Sequence, residues 1–286
     1  MERIVCVSET GYSIEISRGF PYFLQKITGV HEVSGEVATV KSAFGVGSKY
    51  TDTSIDDREI TITGHFKSRN ELRTEKRDLL YKVFSLGRKG VLYYYEDNKA
   101  FKINYYVKKV KTENNFGFDP FQIDLYCPSP YFTDIDETTV TLSAWTKSFS
   151  FPLEIIDGRG IAFAEKAQNV LANISNLSNI EIGMRIIINA DDTVINPSLT
   201  NVVTNEILSL DVTINRGEQI EISTYINDKN IYLIKDGTKV RKNNILKFGS
   251  KFLQIHNGTN IFKLMADSGE SSLSMEIYYY NNYEAV

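Results

Sequence analysis

Thr53-Ser-Ile-Asp-Asp-Arg-Glu-Ile-Thr-Ile-Thr-Gly-His-Phe66 opens the stretch that decides the fold of this 286-residue chain. Ile60, Ile62 and Phe66 alternate with Thr61, Thr63 and His65, the period of a strand with one buried face. Ser68 and Glu71 then form a capping box, in which the hydroxyl accepts from the third helical N–H and the carboxylate reaches back. Leu72, Leu79, Leu80, Val83 and Phe84 follow at helical spacing, so a helix over about Ser68–Ser85 turns one apolar face to a sheet. Gly87 and Gly90 end it, and Arg77, Lys82, Arg88 and Lys89 suit the negative end of its dipole. Strands resume at Val91. Phe101, Ile103, Tyr105 and Val107 alternate with Lys102, Asn104, Tyr106 and Lys108. Phe121, Ile123 and Leu125 do so with Gln122 and Asp124.

Working outward, Tyr12–Ile16 alternates as a short strand, and Phe20–Leu24 reads as an aromatic packing loop. Lys41–Thr53 reads as a flexible Gly-rich loop, because Gly45 and Gly47 carry no steric restraint on the backbone. The chain leaves the first half through Pro128 and Pro130. Residues 134–148, with the only tryptophan, Trp145, have the composition of a polar linker. From Phe149 the pattern is short strands. Phe149, Phe151, Leu153 and Ile155 alternate, Ile180–Ile188 has a Gly183 interruption suggesting a bulge, and Leu208, Leu210, Val212 and Ile214 alternate. Asn257-Gly258 is a turn signal for a hairpin between Phe252–His256 and Ile261–Leu264. About eight to ten strands spaced by turns predict a β-sandwich or jelly roll.

The order of these pieces resembles the distal tail protein (Dit) family of bacteriophages. The resemblance is carried by Asp57-Arg-Glu-Ile-Thr-Ile-Thr-Gly64 after a Gly-rich loop, Arg69-Asn-Glu-Leu72 with Lys76, Arg77 and Leu79, Gly90-Val-Leu-Tyr93, and Cys127-Pro-Ser-Pro-Tyr-Phe132. More loosely, Ile195–Val202, Leu208–Ile222, Asn257–Asn260 and Tyr283–Val286 extend it through the second half. It implies a mainly β chain. Residues 1–143 would form a tail-tube-like, ring-forming β-barrel or sandwich with one flanking α-helix. Residues 144–286 would form a galectin-like β-sandwich (jelly roll). The function implied is that of a structural baseplate hub protein at the distal end of a phage tail. Its partners would be five further copies in a hexameric ring, the tail tube protein, the tail hub or tail-associated lysin protein, and side fibres or a receptor-binding protein. The protein would be made in the host bacterial cytoplasm and reside in the virion. Phe44, Gly45, Val46, Gly47, Ser48, Lys49 and Tyr50 would form a ring-stacking loop.

Composition fits a structural role. Charge is nearly balanced, at 32 basic against 36 acidic residues, so no general attraction to nucleic acid or membrane is implied. The start, Met1-Glu-Arg-Ile-Val-Cys6, lacks the basic segment and apolar run of a signal peptide. Cys6 and Cys127 sit in strand-like apolar contexts and read as reduced, buried thiols. His31, His65 and His256 are far apart, with no ligand at metal spacing. Gly45-Val-Gly-Ser-Lys49 lacks the spacing of a phosphate loop. Asp56, Asp57 and Glu59 are split between two strand faces by Arg58, which favours ionised, solvated carboxylates over a catalytic pair. Lys108, Lys109 and Lys111 read as an exposed strand face. No catalytic activity and no cofactor are expected. The alternative is a carbohydrate-binding module contacting host cell-wall saccharide, which needs exposed tyrosines, such as those of Tyr93–Tyr95 and Tyr278–Tyr280, grouped in a concave site.

Overall fold

Period-two alternation runs through the first half and closes a barrel. The computed structural model describes residues 2–41, 45–68, 72–115, 117–143, 145–147, 164–166, 171–226 and 228–286. The chain divides into two units, Met1–Ile135 with Asn282–Val286, and Asp136–Asn281. The first contains β1 (Arg3–Ser8), β2 (Ser13–Ser17), β3 (Tyr22–Thr28), β4 (Gly35–Lys41), β5 (Ser48–Ile55), β6 (Arg58–Ser68), α1 (Leu72–Val83), β7 (Lys89–Glu96), β8 (Lys99–Thr112), β9 (Gly117–Cys127) and β10 (Phe132–Asp134). Seven strands pair in the order β8-β7-β1-β2-β3-β6-β9, and β9 pairs back onto β8. Closure leaves these strands no free edge. Only β2–β3 is parallel.

Inward residues are those the alternation picks out. Ile60, Ile62 and Phe66 on β6, Phe101, Ile103, Tyr105 and Val107 on β8, and Phe121, Ile123 and Leu125 on β9 are all buried. A register shift between Val107 and Lys109 ends the clean alternation of β8. Gly90 permits a close approach: a Cβ there would meet the Tyr105 ring at 2.5 Å and the Val7 carbonyl at 2.6 Å. Phe20–Leu24 is only partly a loop, since Tyr22 begins β3 and buries its ring.

The helix spans Leu72–Val83 and packs against β1, β2 and β6. Leu80, Val83 and Phe84 are fully buried, while Leu79 is partly buried against the same core. Phe84 stacks obliquely on Tyr105, with ring centroids 6.2 Å apart. Tyr22 donates its hydroxyl to the Lys76 carbonyl at 2.9 Å. Arg73 forks onto the buried Asp119 carboxylate, with Nε donating to Oδ2 at 2.5 Å. Glu71 of the expected capping box and the side chains of Ser68 and Leu72 lie outside what is described.

The second unit contains β11 (Thr138–Ser143), β12 (Trp145–Lys147), β13 (Ala164–Lys166), β14 (Leu171–Asn176), β15 (Met184–Ala190), β16 (Val194–Asn201), β17 (Glu206–Ser209), β18 (Thr213–Ile214), β19 (Gln219–Tyr225), β20 (Asp228–Lys235), β21 (Thr238–Arg241), β22 (Gly258–Ser268) and β23 (Leu273–Tyr279). One sheet runs β11-β23-β15-β19-β20-β21, and the other β14-β22-β16-β17 with β18 on β16. Their inward faces meet in one core, with Met184, Ile186, Ile222 and Ile277 from the first sheet and Ile174, Leu199, Phe262 and Leu264 from the second. That is a β-sandwich.

Three details depart from the sequence reading. The expected linker 134–148 holds β11, which pairs along its length with β23, so the units divide before Asp136. Gly183 is a close-approach position for β19, not a bulge: a Cβ there would meet Tyr225 Cα at 2.6 Å. The Asn257-Gly258 hairpin does not form. Gly258 opens β22, which pairs with β14 and β16, and Ile255 bridges to Ile182 instead. The Phe149–Ile155 strand lies outside the described residues.

Truncating Leu80 to Ala should cost about 2–5 kcal/mol, because the cavity adds to the lost burial. Leu79→Ala should cost less, its side chain being only partly covered. Denaturant unfolding of both variants measures the difference, and equal losses would contradict this packing.

Candidate interaction surface

Arg58 lies on the same strand face as Ile60 and Ile62, so the pleat points a guanidinium into the first unit. It is 4 % exposed. Nε donates to the Pro130 carbonyl at 2.6 Å. Nη1 is shared among the carbonyls of Gly29 at 2.5 Å, Val30 at 3.1 Å and Glu32 at 2.8 Å. Nη2 donates to the Glu284 carbonyl, and the Phe132 ring centroid lies 5.1 Å from Cζ. Burial lowers the pKa of the group, opposed by Cys127 and Glu32, yet a guanidinium does not lose its proton in a protein. The charge is therefore held by carbonyl dipoles. Gly29 completes the knot: at φ +88° it lies so close to β6 that a Cβ would overlap the Glu59 carbonyl at 1.9 Å. The C-terminal strand Asn282–Tyr283 adds to β10, Tyr283 opposite Phe132. Tyr283 Oη donates to Asp134 at 3.0 Å.

Between the two segments tied by Arg58 the chain makes a two-stranded ribbon of β4 and β5. Asp56 N donates to the Ser34 carbonyl at 3.0 Å at its root. Every described residue from Gly35 to Ile55 is exposed. The register sets Ile55 opposite Gly35, Thr53 opposite Val37 and Tyr50 opposite Thr39. Cross-strand partners share a face. One face thus carries Val37, Thr39, Tyr50, Thr53 and Ile55, with Lys41 opposite Ser48 towards the tip, while Glu36, Val40, Lys49 and Asp52 fall on the other. Val37 and Tyr50 are about 60 % exposed, at 61 % and 60 %. The ribbon therefore presents Val37, Tyr50 and Ile55 together on one exposed face.

Of the expected loop, Gly45, Val46 and Gly47 are at the ribbon tip, whereas Ser48, Lys49 and Tyr50 belong to β5. Phe44 lies outside the described residues. A stretch read as flexible loop is largely strand because Thr51, Thr53 and Ile55 favour extended backbone. Arg58 was the residue that sequence reading undervalued, although its place two residues before Ile60 puts it on the buried face.

The chemical groups do not converge. Glu59 pairs with Lys108 at 2.5 Å, both side chains more than half exposed, and Asp57 hydrogen-bonds Tyr126. Burial pushes the Cys127 thiol up to about 12 and the Cys6 thiol higher still, so both stay neutral and unreactive. His65 stacks on Phe23 at 4.8 Å, His31 meets the Tyr94 ring at 6.2 Å, and His256 lies between two glutamates. Among the described residues no group of three or more His, Cys, Asp or Glu is placed to hold a metal ion. No helix among them is long and apolar enough to cross a membrane. Several tyrosines have a cation over the ring: Arg185 on Tyr278 at 4.0 Å, Lys239 on Tyr232 at 4.3 Å and Arg3 on Tyr95 at 4.1 Å.

Residues 9–127 match the family model described as phage tail protein RIFT-related domain. The chain is similar over its length to the crystal structure of SPP1 Dit, described as a paradigm of the hub adsorption apparatus in phages infecting Gram-positive bacteria. That match has a TM-score of 0.67 and 10 % identity, covering 98 % of this chain and 99 % of the other. It is also similar to a chain of the phage P2 baseplate in its activated conformation with Ca, at TM-score 0.54 and 12 % identity over 100 % of both chains. The same baseplate with Sr gives 0.51 and 11 %, again over 100 % of both. No curated protein matches. The resemblance read from the sequence, and the mainly β fold with one helix that it implied, are borne out.

Arg58→Ala should destabilise the protein by about 3–5 kcal/mol, since five carbonyls lose one buried donor group. Arg58→Lys, which keeps the charge but has three donors, should fall between. Hydrogen exchange at Tyr283 should accelerate in both. A loss within the range of surface substitutions, about 0.5 kcal/mol, would contradict the knot.

Proposed function

We propose, for a chain that carries a phage tail RIFT-related domain on the fold of the distal tail hub proteins, that it is a structural component of a phage tail baseplate. Six copies close into a ring through their first units. The ring joins the tail tube to the tail-tip hub or lysin protein and to fibre or receptor-binding proteins, and it resides in the virion. The observation that carries this reading is the ribbon of β4 and β5. A two-stranded hairpin is marginal in water without a face to pack on, and the Val37–Tyr50–Ile55 face is uncovered in the single chain. An arm that leaves its own barrel to pack on a neighbour is a heterologous contact, and such contacts build a ring when the rotation closes. The second unit is read as galectin-like and as the part available to fibres.

The carbohydrate-binding alternative is less favoured. A sugar stacks on an open aromatic face, and on Tyr278 and Tyr232 a cation already occupies one face. The reading assigns no catalysis to the chain: of the acids the sequence singled out, Glu59 is taken up by Lys108 and Asp57 by Tyr126. Incubation with peptidoglycan and wall polysaccharide tests that, with no soluble fragments expected.

Light scattering and electron microscopy of the purified protein should find six-fold rings. Val37→Asp with Tyr50→Asp should leave folding intact, since both side chains are exposed, and should shift the population to single chains. Monomers of the unaltered protein that bind saccharide would replace this reading with the alternative.

A further inference from the structure

One end of the second unit is closed by polar side chains. Asn176, Asn201 and Asn260 are each at most 1 % exposed and lie on the neighbouring strands β14, β16 and β22. Asn176 Nδ2 donates to the carbonyls of Ile180 at 2.7 Å and Ile255 at 3.1 Å. Asn260 Oδ1 accepts from the His256 amide at 3.0 Å, and its Nδ2 donates to the His256 carbonyl at 2.7 Å. The backbone of His256 is therefore fixed, and its ring is aimed between two carboxylates. Nδ1 lies 2.9 Å from Glu181 Oε1 and Nε2 lies 2.8 Å from Glu206 Oε2. Glu181 belongs to the segment between β14 and β15, and Glu206 opens β17. Lys251 Nζ binds the other oxygen of Glu206 at 2.8 Å. These are the charged groups facing the ring among the described residues.

A neutral imidazole has one N–H and one lone pair, so it satisfies one carboxylate and repels the other. Only the imidazolium donates to both. We propose that His256 is a pH-dependent fastener that, as imidazolium, joins the Glu181 segment to the start of β17 and releases one of them on losing its proton. Burial pulls the imidazole pKa down, but the hydrogen bonds and charges of Glu206 and Glu181 outweigh it and the net direction is upward. A raised imidazole pKa gives stability that is complete below the ordinary histidine value and is lost as pH rises through the folded value. Lys251 and His256 hold Glu206 below its usual range, so this part persists until pH falls through that lowered value. The link to Glu206 is closed between these limits.

The segment it holds makes the paired bonds between Ile182 and Ile255, 3.0 Å from Ile182 N and 2.9 Å from Ile255 N. These bonds supply a local readout. In the full chain, the His256 ring should titrate by NMR above the ordinary histidine range, and Glu181→Gln and Glu206→Gln should each bring it down. Exchange protection of Ile182 and Ile255 should fall several-fold, relative to Ile186 in β15, as pH rises through that transition. His256→Gln should abolish the step. A ring that titrates at or below the ordinary value, or that neither carboxamide moves, would overturn the proposal. So would a protection step that survives in His256→Gln.

Discussion

A buried arginine that, among the described residues, is held by carbonyls with no carboxylate in ion-pair contact constrains the first unit. Desolvating a guanidinium costs several kcal/mol, and Arg58 cannot escape by deprotonation. Hydrogen bonds to a charged group contribute about 1.5–3 kcal/mol each, so the five carbonyls of Gly29, Val30, Glu32, Pro130 and Glu284 together offset that cost. The residues before the ribbon, the exit from the barrel and the C-terminal return must therefore occupy their places at once. The knot converts three segments remote in sequence into one co-operative feature.

The closed barrel makes that co-operativity affordable in packing terms. Seven strands without an edge present an interior filled by Ile, Phe and Tyr, with glycine where side chains have no room. Gly29 against β6 and Gly90 against Tyr105 mark two such places. The helix covers the barrel through Leu80, Val83 and Phe84, and the Arg73–Asp119 fork ties its first turn to β9. Against this rigid body, the ribbon of β4 and β5 stands out because it shares no core. Its Val37, Tyr50 and Ile55 are exposed together on one face, which is why the assembly reading is built on it. The second unit solves a different problem. Its sheet end is sealed by asparagines that satisfy backbone groups, and His256 adds a charge-dependent link to that seal.

The sequence by itself determined the barrel strands and the helix, but not the strands it took for the Gly-rich loop and the linker. Alternation put Ile60, Ile62, Phe101, Ile103 and Tyr105 inward, and helical spacing put Leu80, Val83 and Phe84 on one face. Both are local periodicities, set by backbone geometry. The order of those elements was also enough for the family resemblance. Sequence reading went astray where one residue type serves two geometries. Asn257-Gly258 has the chemistry of a tight hairpin, yet the Asn260 side chain captures the His256 backbone and sends the strand elsewhere. Gly183 suits a bulge or a close approach, and only the position of Tyr225 decides between them. Even the phase of Arg58 was legible, but not what would meet it. Its partners at Gly29, Pro130 and Glu284 lie up to 226 positions from it, and no local pattern encodes such a meeting. Which ribbon residues share a face likewise depended on the register of β4 on β5, because a shift of one residue exchanges its faces. Local propensity selects the elements, whereas the satisfaction of buried polar groups across distant segments, which only the tertiary structure provides, decides where they lie.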